Sequence, residues 1–118
     1  MADYLLLYEG GDTDWMKNAG PEEIKGVMEQ WGAWFEQLEA SGHLRNPGAA
    51  LAPGGAVLRT TGGAIETDQA LPEVKELIGG YSVIAADSIE EAAEVAKGGP
   101  FLKNNPDGTV LVRPVMQM

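Results

Sequence analysis

Apolar residues in the first third of the chain form one short run and one helical stripe. The run at residues 4–8 is followed by a glycine pair and predicts a first strand. Residues 12–20 predict a loop or a single helical turn. Pro21, followed by two glutamates, suits the first turn of a helix, and Gly42 suits its end. The apolar stripe of this helix comprises Ile24, Val27, Met28, Trp31, Phe35 and Leu38.

The middle of the chain is rich in glycine and proline. Residues 43–55 show no period and predict a loop. Two β-prone runs around Gly62-Gly63 predict a hairpin over residues 57–67. Residues 72–76 predict a short turn.

The last third predicts two strands, at residues 81–86 and 109–113, with a helix between them. Ser88 and Glu91 have the spacing of a capping box, in which each side chain bonds the backbone N–H of the other residue. The helix they open ends at Gly98-Gly99-Pro100.

This order of elements predicts an α+β fold of the ferredoxin-like split βαβ type, with an added hairpin and an antiparallel sheet carrying two helices on one face. The first strand has Leu5 and Leu7 on one side and Tyr4, Leu6 and Tyr8 on the other, so both faces of the sheet are apolar. Two helices cover only one face. We therefore expect a homodimer in which the uncovered faces of two sheets meet.

Composition narrows the class of protein. The 118 residues, 44% of them hydrophobic, predict one domain over residues 1–118. The chain has no cysteine, which excludes disulfides and thiolate metal sites. Its net charge of −10 disfavours nucleic-acid binding. No apolar run reaches membrane-spanning length, so we expect a soluble, cytoplasmic protein without membrane contact.

The segment DQALPEVKELIGGY, from Asp68 to Tyr81, resembles the signature of YCII-related proteins of the DGPF subgroup. The apolar start, the Pro-Glu-Glu helix and the ending at Arg113-Pro114 are also similar, so the resemblance covers nearly the whole chain. It implies a single YCII/DGPF-like domain that forms a dimeric α+β barrel. Gln69, Ala70 and Leu71 replace the Gly-Pro-Phe of the motif.

Some members of the wider family have a histidine in the first helix and an aspartate near the end of the second, suggested as a hydrolytic dyad. Trp31 and Gly99 stand at those positions here, so the resemblance does not carry that activity over. Some relatives are associated with sigma factors. The resemblance therefore implies a regulatory role as a further alternative.

Asp68, Glu73, Lys75 and Tyr81 are the strongest candidate site residues, because the motif delivers them near the start of a strand. Asp68 and Glu73 are the candidate catalytic bases. The alternative is a solvated acidic face with Asp68 capping a turn. Arg113 is a candidate anion ligand, as is Arg59, although both also suit a role as charges that discourage edge aggregation.

Other candidates have simpler structural readings. His43 is the single histidine and suits a helix end better than a catalytic base. Trp34 lies off the apolar stripe and is a candidate for a pocket lip or interface. No nucleotide loop or metal-ligand spacing occurs, so we expect no cofactor and no metal.

Three functions remain open on these grounds. The first is a small-molecule binding dimer whose cleft takes an apolar ligand with an anionic end, contacted by Tyr8, Trp34, Lys75, Tyr81 and Arg113. The second is a cofactor-free lyase, isomerase or monooxygenase with Asp68 or Glu73 as base, which rests on fold analogy. The third is a regulatory dimer that acts through protein partners.

Overall fold

The computed structural model describes residues 1–11, 14–68 and 78–118. Within them the elements follow in the order β1 (Ala2–Glu9), α1 (Trp15–Asn18), α2 (Pro21–Ser41), β2 (Leu44–Ala50), β3 (Val57–Thr61), β4 (Ala64–Asp68), β5 (Ile78–Ala86), α3 (Ile89–Lys97), α4 (Pro100–Asn104) and β6 (Thr109–Pro114).

Four strands form one antiparallel sheet in the order β2-β5-β1-β6. The first strand along the chain lies in the middle, with β5 on one side and β6 on the other. Helix α2 connects β1 to β2, and α3 and α4 connect β5 to β6. The predicted α+β class is confirmed, and this strand order is consistent with a ferredoxin-like arrangement.

Strand β2 corrects the prediction of a loop over residues 43–55. Its sequence, LRNPGAA, has few β-prone residues, and its register on β5 shifts twice, between Leu44 and Asn46 and between Asn46 and Ala49. Such bulges accommodate Pro47, and Gly48 takes a positive φ of 76°. A Cβ on Gly48 would overlap the Tyr81 carbonyl oxygen. Pairing with β5 therefore makes this segment a strand against its own propensity.

The predicted hairpin forms as β3 and β4, with Gly62 and Gly63 both at positive φ in its turn. It makes a two-stranded sheet of its own and does not join the four-stranded sheet. The predicted turn at residues 72–76 lies outside the described residues.

Helix α2 begins at Pro21 and ends at Ser41, and Gly42 caps its C-terminus with a φ of 80°, as predicted. Its buried side chains are Trp34 and Leu38, whereas Met28 is 49% exposed. The buried stripe is thus centred on Val27, Trp31, Trp34 and Leu38, and placing Trp34 off the stripe and Met28 on it was wrong.

Helix α3 confirms half of the predicted capping box. Ser88 Oγ accepts a 3.1 Å hydrogen bond from the Glu91 N–H. The Glu91 carboxylate lies beside His43 instead of returning to Ser88. After Gly98 and Gly99 the chain forms α4, a short helix that the sequence pattern did not indicate.

The helices cover one face of the four-stranded sheet. Burial alternates along β1, with Tyr4, Leu6 and Tyr8 buried on the helix side and Leu5 and Leu7 only partly buried on the other. The predicted one-sided cover is confirmed for the described residues. Among the helices described, none is both long and apolar enough to span a membrane.

Candidate functional site

The sheet face that the helices leave uncovered carries a continuous apolar surface. Strand register places its side chains in two rows, because residues opposite each other in antiparallel strands share a face. One row joins Leu111, Leu7 and Tyr81, and the next joins Arg113, Leu5 and Val83. We call this surface the open face and define it by Leu5, Leu7, Tyr81, Val83, Leu111 and Arg113.

One end of the open face is charged. Arg45 Nε donates a 3.0 Å hydrogen bond to Asp3 Oδ1, so the pair crosses β5 at Ala85, which is fully buried. Arg113 lies one row further in, opposite Leu5. Arg113 is exposed and has no ion-pair partner among the described residues.

Arg113 and Tyr81 bracket the apolar part of the open face. They are separated by two strand spacings and one step of two residues, which puts their Cα atoms about 12 Å apart. Leu5 and Leu7 lie on the strand between them. A cation, a phenol hydroxyl and leucine side chains therefore share one surface.

Tyr8 lies on the opposite side of the sheet from Tyr81. Its ring packs against Trp31, with ring centroids 5.3 Å apart, and against Phe101, with centroids 5.2 Å apart. Its hydroxyl donates a 2.9 Å hydrogen bond to Ser82 Oγ, and Ser82 Oγ donates a 2.8 Å bond to the Pro47 carbonyl. The predicted grouping of Tyr8 with Tyr81 on one surface is therefore not reproduced within one chain.

Burial governs the acidity of Tyr8. Desolvation raises the pKa of its hydroxyl above the ordinary value, and the hydrogen bond with Ser82 acts in the opposite direction and is the smaller effect. The neutral phenol is thus the form that the core favours.

Trp34 is also on the helix side. Only 5% of it is exposed, and its ring packs against Trp31, Phe35 and the backbone of Gly99. A Cβ on Gly99 would lie 3.1 Å from Trp34 Cζ2, so glycine permits this close approach. Trp34 borders a shallow depression of about 580 Å³ between α2 and α4, lined also by Gln30, Lys103 and Asn104. This depression is far from the open face because the sheet lies between them.

His43 forms a pair that the sequence reading missed. Its Nδ1 lies 2.7 Å from the Ala85 carbonyl oxygen and its Nε2 lies 3.5 Å from Glu91 Oε1. Since a carbonyl oxygen only accepts, Nδ1 carries a proton and donates to it. The ring is thereby held between the end of β5 and α3. In the sequence, only the position of Glu91 pointed to this contact with His43. The predicted capping box already accounted for a glutamate at that position.

The predicted catalytic residues are not brought into a described site. Asp68 ends β4, where its backbone is opposite Val57, and Glu73 and Lys75 lie outside the described residues. Arg59 lies in the hairpin, opposite Glu66. Within the described part of the chain, no three histidine, aspartate or glutamate side chains cluster as metal ligands would.

The sequence of this chain matches the YCII-related domain family over residues 4–118. The resemblance inferred from the motif is confirmed at that level. No curated protein matches the chain.

Proposed function

We propose a ligand-binding role for this chain, which belongs to the YCII-related domain family. Two copies associate through their open faces into a dimeric α+β barrel, and the cleft between the sheets takes a small apolar molecule with an anionic group. Assignment to the DGPF subgroup is part of the same proposal. The observation that carries it is the apolar open face with Arg113 at one end, exposed and without an ion-pair partner in the part of the chain that the structure describes.

The distribution of apolar groups supports association through the open face. Leu111 is 39% exposed, and Leu5, Leu7 and Val83 are incompletely covered in the single chain. Contiguous apolar surface of this kind is typical of interaction sites on soluble proteins. A two-fold axis brings the same surface of each copy together, so one patch is enough to form the interface.

The distribution of charge points the same way. The glutamates of α2 and α3 lie on the helices, on the far side of the sheet from the open face. The described acid nearest Arg113 along the face is Asp3, and Arg45 neutralises it. Register also puts Glu9 on this side of β1, opposite Thr109, so the described strands carry two acids there, one of them paired with Arg45. Two chains with net charge −10 each therefore meet with less repulsion through this side than through their glutamate-bearing helices.

Arg113 determines the class of ligand. A guanidinium at an apolar surface that a second copy dehydrates needs a counter-ion, and carboxylate or sulfonate oxygens match its paired N–H groups. Tyr81, at the other end, offers a hydroxyl that donates or accepts. The space between is lined by leucine and valine, so the body of the ligand is apolar.

Fluorescence titration with 8-anilinonaphthalene-1-sulfonate, an apolar aromatic sulfonate, tests this function. We expect saturable binding to the dimer, with affinity about tenfold weaker in Arg113→Gln because one charge-assisted contact is lost. Lys97→Gln is the matched control, since it removes one cation from α3 on the opposite side of the sheet. Equal affinities in wild type, Arg113→Gln and Lys97→Gln would overturn the assignment of Arg113.

A further inference from the structure

The hairpin of β3 and β4 has one apolar and one charged face. Register places Leu58 and Thr67 together and Thr60 and Ile65 together, all on one side. We call this side the arm face. Arg59 and Glu66 are opposite each other on the other side. That side also carries Val57, Thr61 and Ala64, so the arm face is distinguished by holding Leu58 and Ile65, the two largest apolar side chains of the hairpin, and no charge.

Nothing in the described part of the single chain covers the arm face. Leu58 is 67% exposed and Ile65 is 78% exposed, and the hairpin is a separate sheet. An isolated two-stranded hairpin is marginally stable in water at best, and it needs packing on a further surface. The chain also has a radius of gyration of 16.2 Å, compared with about 13.5 Å for a compact domain of this length.

We propose that the arm face docks on a second copy of this chain and closes one mouth of the cleft between the two open faces. This rests on the dimer of the proposed function and adds a contribution of each chain to the partner's site. The hairpin is inserted between β2 and β5, which are neighbours in the four-stranded sheet. It therefore originates at one end of the cleft.

The area that a stable dimer needs supports a second copy as the occupant. Four strands of 8, 7, 9 and 6 residues, spaced about 4.8 Å apart, give the open-face side of the sheet a footprint of only about 480 Å². Stable interfaces bury roughly 800 Å² on each partner. Each arm face adds a footprint of about 170 Å², and its landing surface adds as much again, which together supply most of the difference.

The dimensions of the hairpin fit the same partner. Five residues in each strand give a length of about 17 Å, and a facing four-stranded sheet is about 19 Å wide. The arm is thus long enough to cross most of the width of the partner's sheet. The threonines of the arm face, Thr60 and Thr67, add hydroxyls that suit the polar rim of such an interface.

Photo-cross-linking tests the docking directly, because the chain has no cysteine and a single introduced one is labelled alone. Ile65→Cys carrying a benzophenone maleimide is irradiated in an equal mixture of unlabelled and ¹⁵N-labelled protein. We expect cross-links that join a light to a heavy chain. Thr61→Cys, on the opposite side of the hairpin, is the matched control and should give few or none.

A second measurement keeps the test independent of labelling. Ile65→Asp should raise the dimer dissociation constant roughly tenfold or more, and Thr61→Asp should leave it unchanged. A wild-type dimer in which the probe at position 65 cross-links only within its own chain, with Ile65→Asp equally dimeric, would overturn the docking and leave the dimer of open faces intact. A wild-type monomer would overturn both.

Discussion

The Tyr8 hydroxyl donates a hydrogen bond of 2.9 Å to Ser82 Oγ, although 74 residues separate the two along the chain. Ser82 Oγ in turn donates a hydrogen bond of 2.8 Å to the Pro47 carbonyl. Ser82 itself is fully buried. These two bonds connect β1 to β5 and β5 to the bulged part of β2, so they fix the edge strand that local propensity does not specify.

Ser82→Ala should destabilise the chain more than Tyr8→Phe. The alanine leaves the Tyr8 hydroxyl without its acceptor and the Pro47 carbonyl without its donor, at a cost of about 2–3 kcal/mol. The phenylalanine removes one donor, and Ser82 still donates to Pro47, so we expect about 1 kcal/mol. Urea unfolding of both single variants and of the double variant measures the coupling. Additive losses would contradict a connected pair.

The raised pKa of Tyr8 predicts a loss of stability at alkaline pH. The unfolded tyrosine loses its proton near pH 10, whereas the folded one holds it to higher pH. The contribution of Tyr8 to stability is thus complete below about pH 10 and is lost as pH rises through the folded pKa. Unfolding free energies measured from about pH 8 to about pH 11 should fall more steeply in wild type than in Tyr8→Phe. Parallel pH profiles would contradict this.

Gly48→Ala should destabilise β2 strongly. Its φ of 76° is strained for alanine, and its Cβ would also overlap the Tyr81 carbonyl. Gly54 is the matched control, because its φ of 97° is equally unsuitable while no heavy atom lies within 4 Å of its Cβ position. We expect thermal unfolding to show about 1 kcal/mol lost in Gly54→Ala and at least about 1–2 kcal/mol more in Gly48→Ala. Equal losses would mean that β2 moves away at no cost.

Most elements of the fold were predictable because local chemistry marks their ends. Pro21 and Gly42 delimit α2, Ser88 opens α3, and Gly62-Gly63 turns the hairpin. Strand β2 was not predictable, since Pro47 and Gly48 disfavour a strand and only the tertiary contact with β5 imposes one. The buried place of Trp34 depends in the same way on Gly99, which is distant in sequence.

The features of the candidate site were likewise predictable where local sequence specifies them and not where tertiary contacts do. The apolar character of both sides of β1 indicated the open face, and Arg113 was recognised as a possible anion ligand. Tyr8 and Tyr81 lie on opposite faces of the sheet because Tyr8 pairs with Gly80 and successive side chains of a strand alternate between faces. This register is set by pairing between segments that are distant in sequence. The Asp3–Arg45 ion pair joins β1 and β2 across β5, so no local sequence pattern predicts it.

Association through the open face is the central claim, and sedimentation equilibrium tests it most directly. The protein concentration should be about 10 μM, which is well above the dissociation constant of a stable dimer. The chain has a mass of 12.5 kDa, and we expect the wild type to sediment at about twice that value. Val83→Glu, which places a charge on the apolar part of the open face, should sediment near 12.5 kDa with an unchanged circular dichroism spectrum. Ile89→Glu, on α3, should stay dimeric. A wild type that sediments at 12.5 kDa would contradict the claim.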